Sequence, residues 1–111
     1  MQITGCNSNL IKTASAFVNP SNVKTPEKMD KRELTRAIRQ AIAAEEEAVH
    51  LYETIADASD DKLVVKAMKS IGDEERVHIG ELQKLLEILL PDEKKHIDEG
   101  KKEVEEMEKE K

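Results

Sequence analysis

At 111 residues the chain has room for one small domain, and with 38% charged but only 2% aromatic residues it has little to fill a core. Its formal net charge of −6 comes from interspersed acidic and basic residues, which excludes the basic stripe of a nucleic-acid binder and favours cations over phosphates. No apolar run approaches a membrane span, and the single Cys6 leaves no intrachain disulfide and fits a reducing cytoplasm.

Residues 1–29 are rich in Asn, Ser and Thr, contain Pro20 and Pro26, and carry one short apolar run from Ala14 to Val18. They are expected to form a flexible arm. A first helix is predicted from about Asp30, where Asp30 and Glu33 have capping-box spacing, to about Asp57. Ala58-Ser59-Asp60-Asp61 breaks it, with Ser59 or Asp60 expected to cap a second helix from about Asp61 to Leu89. Pro91 suits the first turn of a third helix, which Gly100 is expected to weaken. The Lys- and Glu-rich tail beyond it offers only Val104 and Met107 for packing. The plan is therefore all-α: an arm over 1–29, an antiparallel helical hairpin over 30–90, and a C-terminal helix with charged tail over 91–111. One hairpin cannot enclose a core, but two can, as a four-helix bundle.

At roughly 100° per residue, one stripe of the first helix collects Ile38, Ala41, Ile42, Glu45, Ala48, Val49, Tyr52 and Ala56. The second helix gathers Val64, Met68, Ile71, Gly72, Glu75, His78, Ile79, Leu82, Leu86 and Leu89. Glu45, Glu75 and His78 thus fall at mid-length of stripes that are otherwise almost wholly apolar. A carboxylate buried there must be paired or metal-bound, and one imidazole cannot neutralise two of them. Di-iron helical bundles use one Glu from each of two helices and a Glu-x-x-His from each of the other two. This chain holds one of each, which is half a site. A twofold copy would supply four carboxylates and two imidazoles, about four negative charges against two divalent irons.

Glu-x-x-His occurs three times, and helical position separates the copies. Glu47 and His50 fall roughly 140–200° from Glu45, on the polar face. Glu93 and His96 lie in a charged segment after Pro91. Glu75 and His78 alone sit on an apolar stripe opposite another in-stripe Glu. His50 and His96 are expected to be exposed.

The run Ala41-Ile42-Ala43-Ala44-Glu45-Glu46-Glu47-Ala48-Val49-His50-Leu51-Tyr52 resembles the ligand-Glu helix of the encapsulated ferritins, two-helix members of the ferritin-like superfamily. Asp73-Glu74-Glu75-Arg76-Val77-His78 resembles their Glu-Glu-x-x-His motif, and the likeness runs from about Leu34 to Leu90. Rubrerythrins share both motifs but carry them twice in a longer chain. The resemblance implies a ferroxidase that oxidises ferrous to ferric iron at an inter-subunit di-iron site for storage or detoxification. It implies Glu45, Glu75 and His78 as iron ligands and Tyr52 as their neighbour. It also implies a homodimer built into a larger ring, often a decamer, inside a cytoplasmic encapsulin shell. Family members can flank the ligand Glu with an acidic iron-uptake pair. Here those positions hold Ala44 and Glu47, so Glu47 is the half retained. The chain ends Glu-Met-Glu-Lys-Glu-Lys rather than in an apolar targeting peptide. Three alternatives follow: shell docking through another segment such as the N-terminal arm, fusion to the shell protein, or a free-standing member. Two other readings stay open: a rubrerythrin-like peroxidase at the same site, and a non-catalytic helical oligomerisation module.

Overall fold

The computed structural model describes residues 27–110, so Cys6 and all but the end of the expected arm lie outside the described residues. Three helices follow in order: α1 (Lys31–Ala58), α2 (Lys62–Leu89) and α3 (Pro91–Lys109). Among the described residues there is no strand, and no helix is long and apolar enough to cross a membrane.

The α1 start follows the expected capping box. Asp30 Oδ1 accepts from the Glu33 amide at 2.8 Å, and Glu33 Oε1 accepts from the Asp30 amide at 3.2 Å. The second cap differs from expectation. Asp61, not Ser59 or Asp60, caps α2, its Oδ1 accepting from the Leu63 and Val64 amides at 2.9 and 3.1 Å. Ser59 instead shapes the connection, its Oγ accepting from the Asp61 amide at 3.0 Å. Among three adjacent residues able to cap, the one immediately preceding the first helical residue reaches the orphan amides.

Leu90, with φ −129° and ψ 69°, ends α2, and Pro91 opens α3 as its first residue. Gly100 does not break α3, which continues unbroken to Lys109. Its helical cost is spread against same-helix ion pairs, Lys94 with Asp98, Lys95 with Asp92 and Lys109 with Glu106. A further ion pair, Arg39 with Glu93, ties α3 back to α1.

The long contact is α1 against α2. Every expected stripe residue of α1 is at least half-buried, as is every one of α2 except His78. The most buried positions are small or slim: Thr35, Ala56, Gly72 and Ile79. No described side chain is fully enclosed, while Leu51, Ile55 and Leu85 stay exposed. The radius of gyration is 18.6 Å, against about 12–13 Å for a compact chain of this size. This hairpin has a seam but no interior.

Helix phase gives the two sides of that seam different characters. On one side lie Leu51, Ile55 and Leu85, roughly 80–120° from Glu45 or Glu75. Arg39 leaves α1 roughly 120° the other way from Glu45, so α3 is tethered on the polar side and leaves the apolar face open.

Candidate metal centre

Glu45 comes from mid-α1, and Glu75 and His78 lie one turn apart on α2. Their positions follow from helix phase: both carboxylates border the seam, and His78 lies roughly 60° further toward the open apolar face. One potential ligand atom from each residue lies within 4.8 Å of the other two. His78 Nδ1 is 3.5 Å from Glu45 Oε2 and 3.4 Å from Glu75 Oε2. The side chains of Glu45 and Glu75 are 26% and 18% exposed, whereas that of His78 is 50% exposed. The expectation that His78 sits inside the covered stripe is therefore corrected. It stands at the stripe's edge, on the side that no other described element covers.

Glu45 Oε2 is buried and has no hydrogen-bond partner among the described residues. An ionised oxygen in that condition is costly, and the neighbouring imidazole is not aligned to donate to it. Two carboxylates and one imidazole converging on a small volume form a hard-to-borderline donor set suited to a first-row divalent cation. A cation there would satisfy the orphaned oxygen and offset the adjacent negative charges. The donor set these residues present fits an iron site.

The other expected residues are placed differently. Tyr52 is half-buried on the same sector of α1, with its Cβ against Gly72, one turn from Glu75. No hydrogen bond joins it to the cluster among the described residues. Glu47 is exposed and lines a shallow depression with Ala44, His50, Leu51 and Thr54, away from the three ligating groups. His50 and His96 are exposed, as expected. Glu93 is occupied by Arg39 rather than by His96.

Arg76 was not singled out by sequence reasoning, yet it bridges the helices through Glu53. Its place inside the Glu-x-x-His run was a signal, since it must leave α2 on the edge away from Glu75.

The sequence model of the rubrerythrin family matches residues 7–86 and also 36–111. The chain belongs to the rubrerythrin family. The two matched ranges share residues 36–86, the part of this rubrerythrin-family chain that carries Glu45, Glu75 and His78. Among solved structures, the encapsulated ferritin domain from Pyrococcus furiosus is 36% identical, with a TM-score of 0.73, covering 80% of this chain and 91% of that one. Within the rubrerythrin family, this is an encapsulated-ferritin-type domain, built as a ferritin-like helical hairpin.

Two curated proteins are similar as well. A ferritin-like-encapsulin shell fusion protein of Pyrococcus furiosus is 36% identical over 90 residues. An encapsulin nanocompartment cargo protein of Myxococcus xanthus is 36% identical over 82 residues. These alignments take in 81% and 74% of this chain, but only 26% and 63% of those proteins' own lengths.

Proposed function

We propose that the chain is a ferroxidase that takes ferrous iron as its substrate and works as a dimer, with Glu45, Glu75 and His78 of each copy holding the metal. The single observation that carries this reading is the buried, unpartnered Glu45 Oε2 facing Glu75 and His78 at the edge of an open apolar face. A second copy laid on that face would bring an identical triad, giving the two Glu and two Glu-x-x-His contributions of a carboxylate-bridged di-iron site. The same contact would cover Leu51, Ile55 and Leu85, so the apolar surface and the half-site ask for the same partner.

Iron held there supplies the one-electron redox chemistry, with oxygen as acceptor. The protein's part is to fix four carboxylates and two imidazoles before iron arrives. His78 lies at the open edge, where a covering copy would shield it from water. The Glu45 and Glu75 carboxylates would hold the bound ions and neutralise their charge, and the surrounding aliphatic stripe would hold competing water away. Tyr52, one turn from Glu75 beside Gly72, would line this pocket. Glu47, on the outer face, would contribute acidic potential rather than a bond to the metal.

The relatives named as a shell fusion and as nanocompartment cargo support an encapsulin-associated role: a cytoplasmic iron store in which dimers assemble into a larger ring within the shell. Kinship with rubrerythrin keeps a peroxidase reading in view, with hydrogen peroxide as oxidant at the same residues.

The test follows the oxidation of ferrous iron anaerobically, with oxygen, and with hydrogen peroxide, in the parent and in Glu45→Ala and His78→Ala. The proposal expects oxygen-driven turnover in the parent and its loss in both variants. Turnover with peroxide alone would favour the peroxidase. Equal behaviour of parent and variants, with assembly intact, would favour an oligomerisation module and overturn the metal reading.

A further inference from the structure

The metal-ligand cluster occupies one edge of the α1/α2 seam, and the opposite edge carries a second inter-helix contact. Arg76 stands between Glu75 and His78 in sequence but leaves α2 roughly 100° around from Glu75, on the edge away from the open face. There its Nη2 lies 3.4 Å from Glu53 Oε1 on α1, and its Nη1 lies 3.1 Å from Asp73 Oδ1 on its own helix. The guanidinium passes close over Gly72, where a Cβ would stand 3.5 Å from Arg76 Nη1 and 3.9 Å from Tyr52 Cβ. The Arg76 guanidinium therefore reaches the level of the seam that Tyr52 and Gly72 share, one turn from Glu75.

The most buried residues of the seam at this level are the small Ala56 and Gly72, with Tyr52 and Met68 only half-buried beside them. Small residues set how closely two helices approach, but give few interlocking side chains to fix their rotation. Rotation matters here because Glu75 and His78 share one helix: a few degrees of roll carries both away from Glu45 together. A charge pair on the far edge of the seam opposes that roll.

We propose that Arg76 is a positioning residue whose pair with Glu53 fixes the rotation of α2 against α1 and so holds Glu75 and His78 against Glu45. The consequence for metal binding rests on the ferroxidase reading; the clamp itself does not. Of the two ion pairs Arg76 makes among the described residues, only the one to Glu53 crosses between helices, and this gives the proposal an internal control.

The experiment uses the full chain with Arg76→Met, Arg76→Lys, Glu53→Gln and Asp73→Asn, titrated with cobalt(II) against a competing chelator. The His78 ring resonances are recorded in parallel in the metal-free proteins. Arg76→Met and Glu53→Gln are each expected to weaken cobalt binding by about fivefold, the ceiling an exposed ion pair sets. Arg76→Lys should recover most of the loss, and Asp73→Asn should bind as the parent does. Unchanged affinity in Arg76→Met and Glu53→Gln overturns the clamp. So does a loss in Asp73→Asn with Glu53→Gln unaffected. If the parent binds no cobalt, the metal reading fails by itself and the His78 resonances decide the clamp. Shifts in Arg76→Met and Glu53→Gln but not in Asp73→Asn support it, and unshifted resonances throughout contradict it.

Discussion

His78 Nδ1 on α2 lies 3.5 Å from Glu45 Oε2 on α1, yet that oxygen is buried without a hydrogen bond. Proximity without bonding is the central tension of this hairpin. No described residue hydrogen-bonds that oxygen, while Glu75 and His78 each offer a ligand atom within 4.8 Å of it.

If that oxygen is uncompensated, removing it should help the metal-free chain. Glu45→Leu keeps helix propensity nearly constant and replaces an orphaned carboxylate with an apolar side chain in an apolar stripe. Because the Glu45 side chain is 26% exposed, the gain is held to about 1 kcal/mol. Urea denaturation with chelator present should show the variant more stable than the parent, while metal binding is lost. A less stable variant would mean Glu45 already has a partner.

Gly72 gives an independent check on the seam. It is buried in mid-helix, but a Cβ there meets its nearest neighbours at 3.5 and 3.9 Å, ordinary contact distances. Gly72→Ala should therefore stabilise α2 by up to about 1 kcal/mol through helix propensity. A rise in thermal midpoint checks this; a fall would show that the helices must approach more closely than the structure has them.

The α2 cap separates three adjacent residues. Asp61→Ala should cost about 1 kcal/mol, since two amides lose their acceptor, while Asp60→Ala should stay near neutral. Chemical denaturation of the two variants side by side reads the difference. Equal costs would return the cap to the wider Ser-Asp-Asp run.

The Lys94–Asp98 pair makes a prediction in pH. The bond from Lys94 holds the Asp98 carboxyl below its ordinary value of 3.8, and the bond to Asp98 holds the Lys94 ammonium above its ordinary 10.5. The Asp98 contribution is present above the ordinary carboxylate value and lost as pH falls through the depressed one. The Lys94 contribution is present below its ordinary value and lost as pH rises through the raised one. Both groups are solvent-exposed, so the effect is local to α3. Lys94→Ala should lower amide-exchange protection along α3 at neutral pH, and the difference from the parent should vanish in strong acid. A difference that persists in acid would assign it to something other than this pair.

Much of this was legible because helices write their faces into sequence. The stripe from Ile38 to Ala56 is covered at every position, and Asp30 with Glu33 set the α1 start as their spacing requires. The Glu75–His78 copy of the motif separates from Glu47–His50 by phase and from Glu93–His96 by the charged segment that holds the latter. What sequence phase could not decide was how far each stripe is covered, which depends on the neighbouring layer. His78 lies in the apolar register but half in solvent, because the hairpin provides no third surface there. The α2 cap was missed among near-equivalent residues, where one position of offset decides which side chain reaches the free amides. Arg76–Glu53 was missed because a contact between exposed charged residues leaves no mark in hydrophobic periodicity.

The most direct measurement is iron content taken together with solution mass, on metal-free protein before and after anaerobic addition of ferrous iron. Binding of about one iron per chain, hence two per dimer, is expected, with a shift toward dimers or larger rings that His78→Ala abolishes. A chain that binds no iron, or whose mass and assembly are indifferent to iron and to His78→Ala, would contradict it.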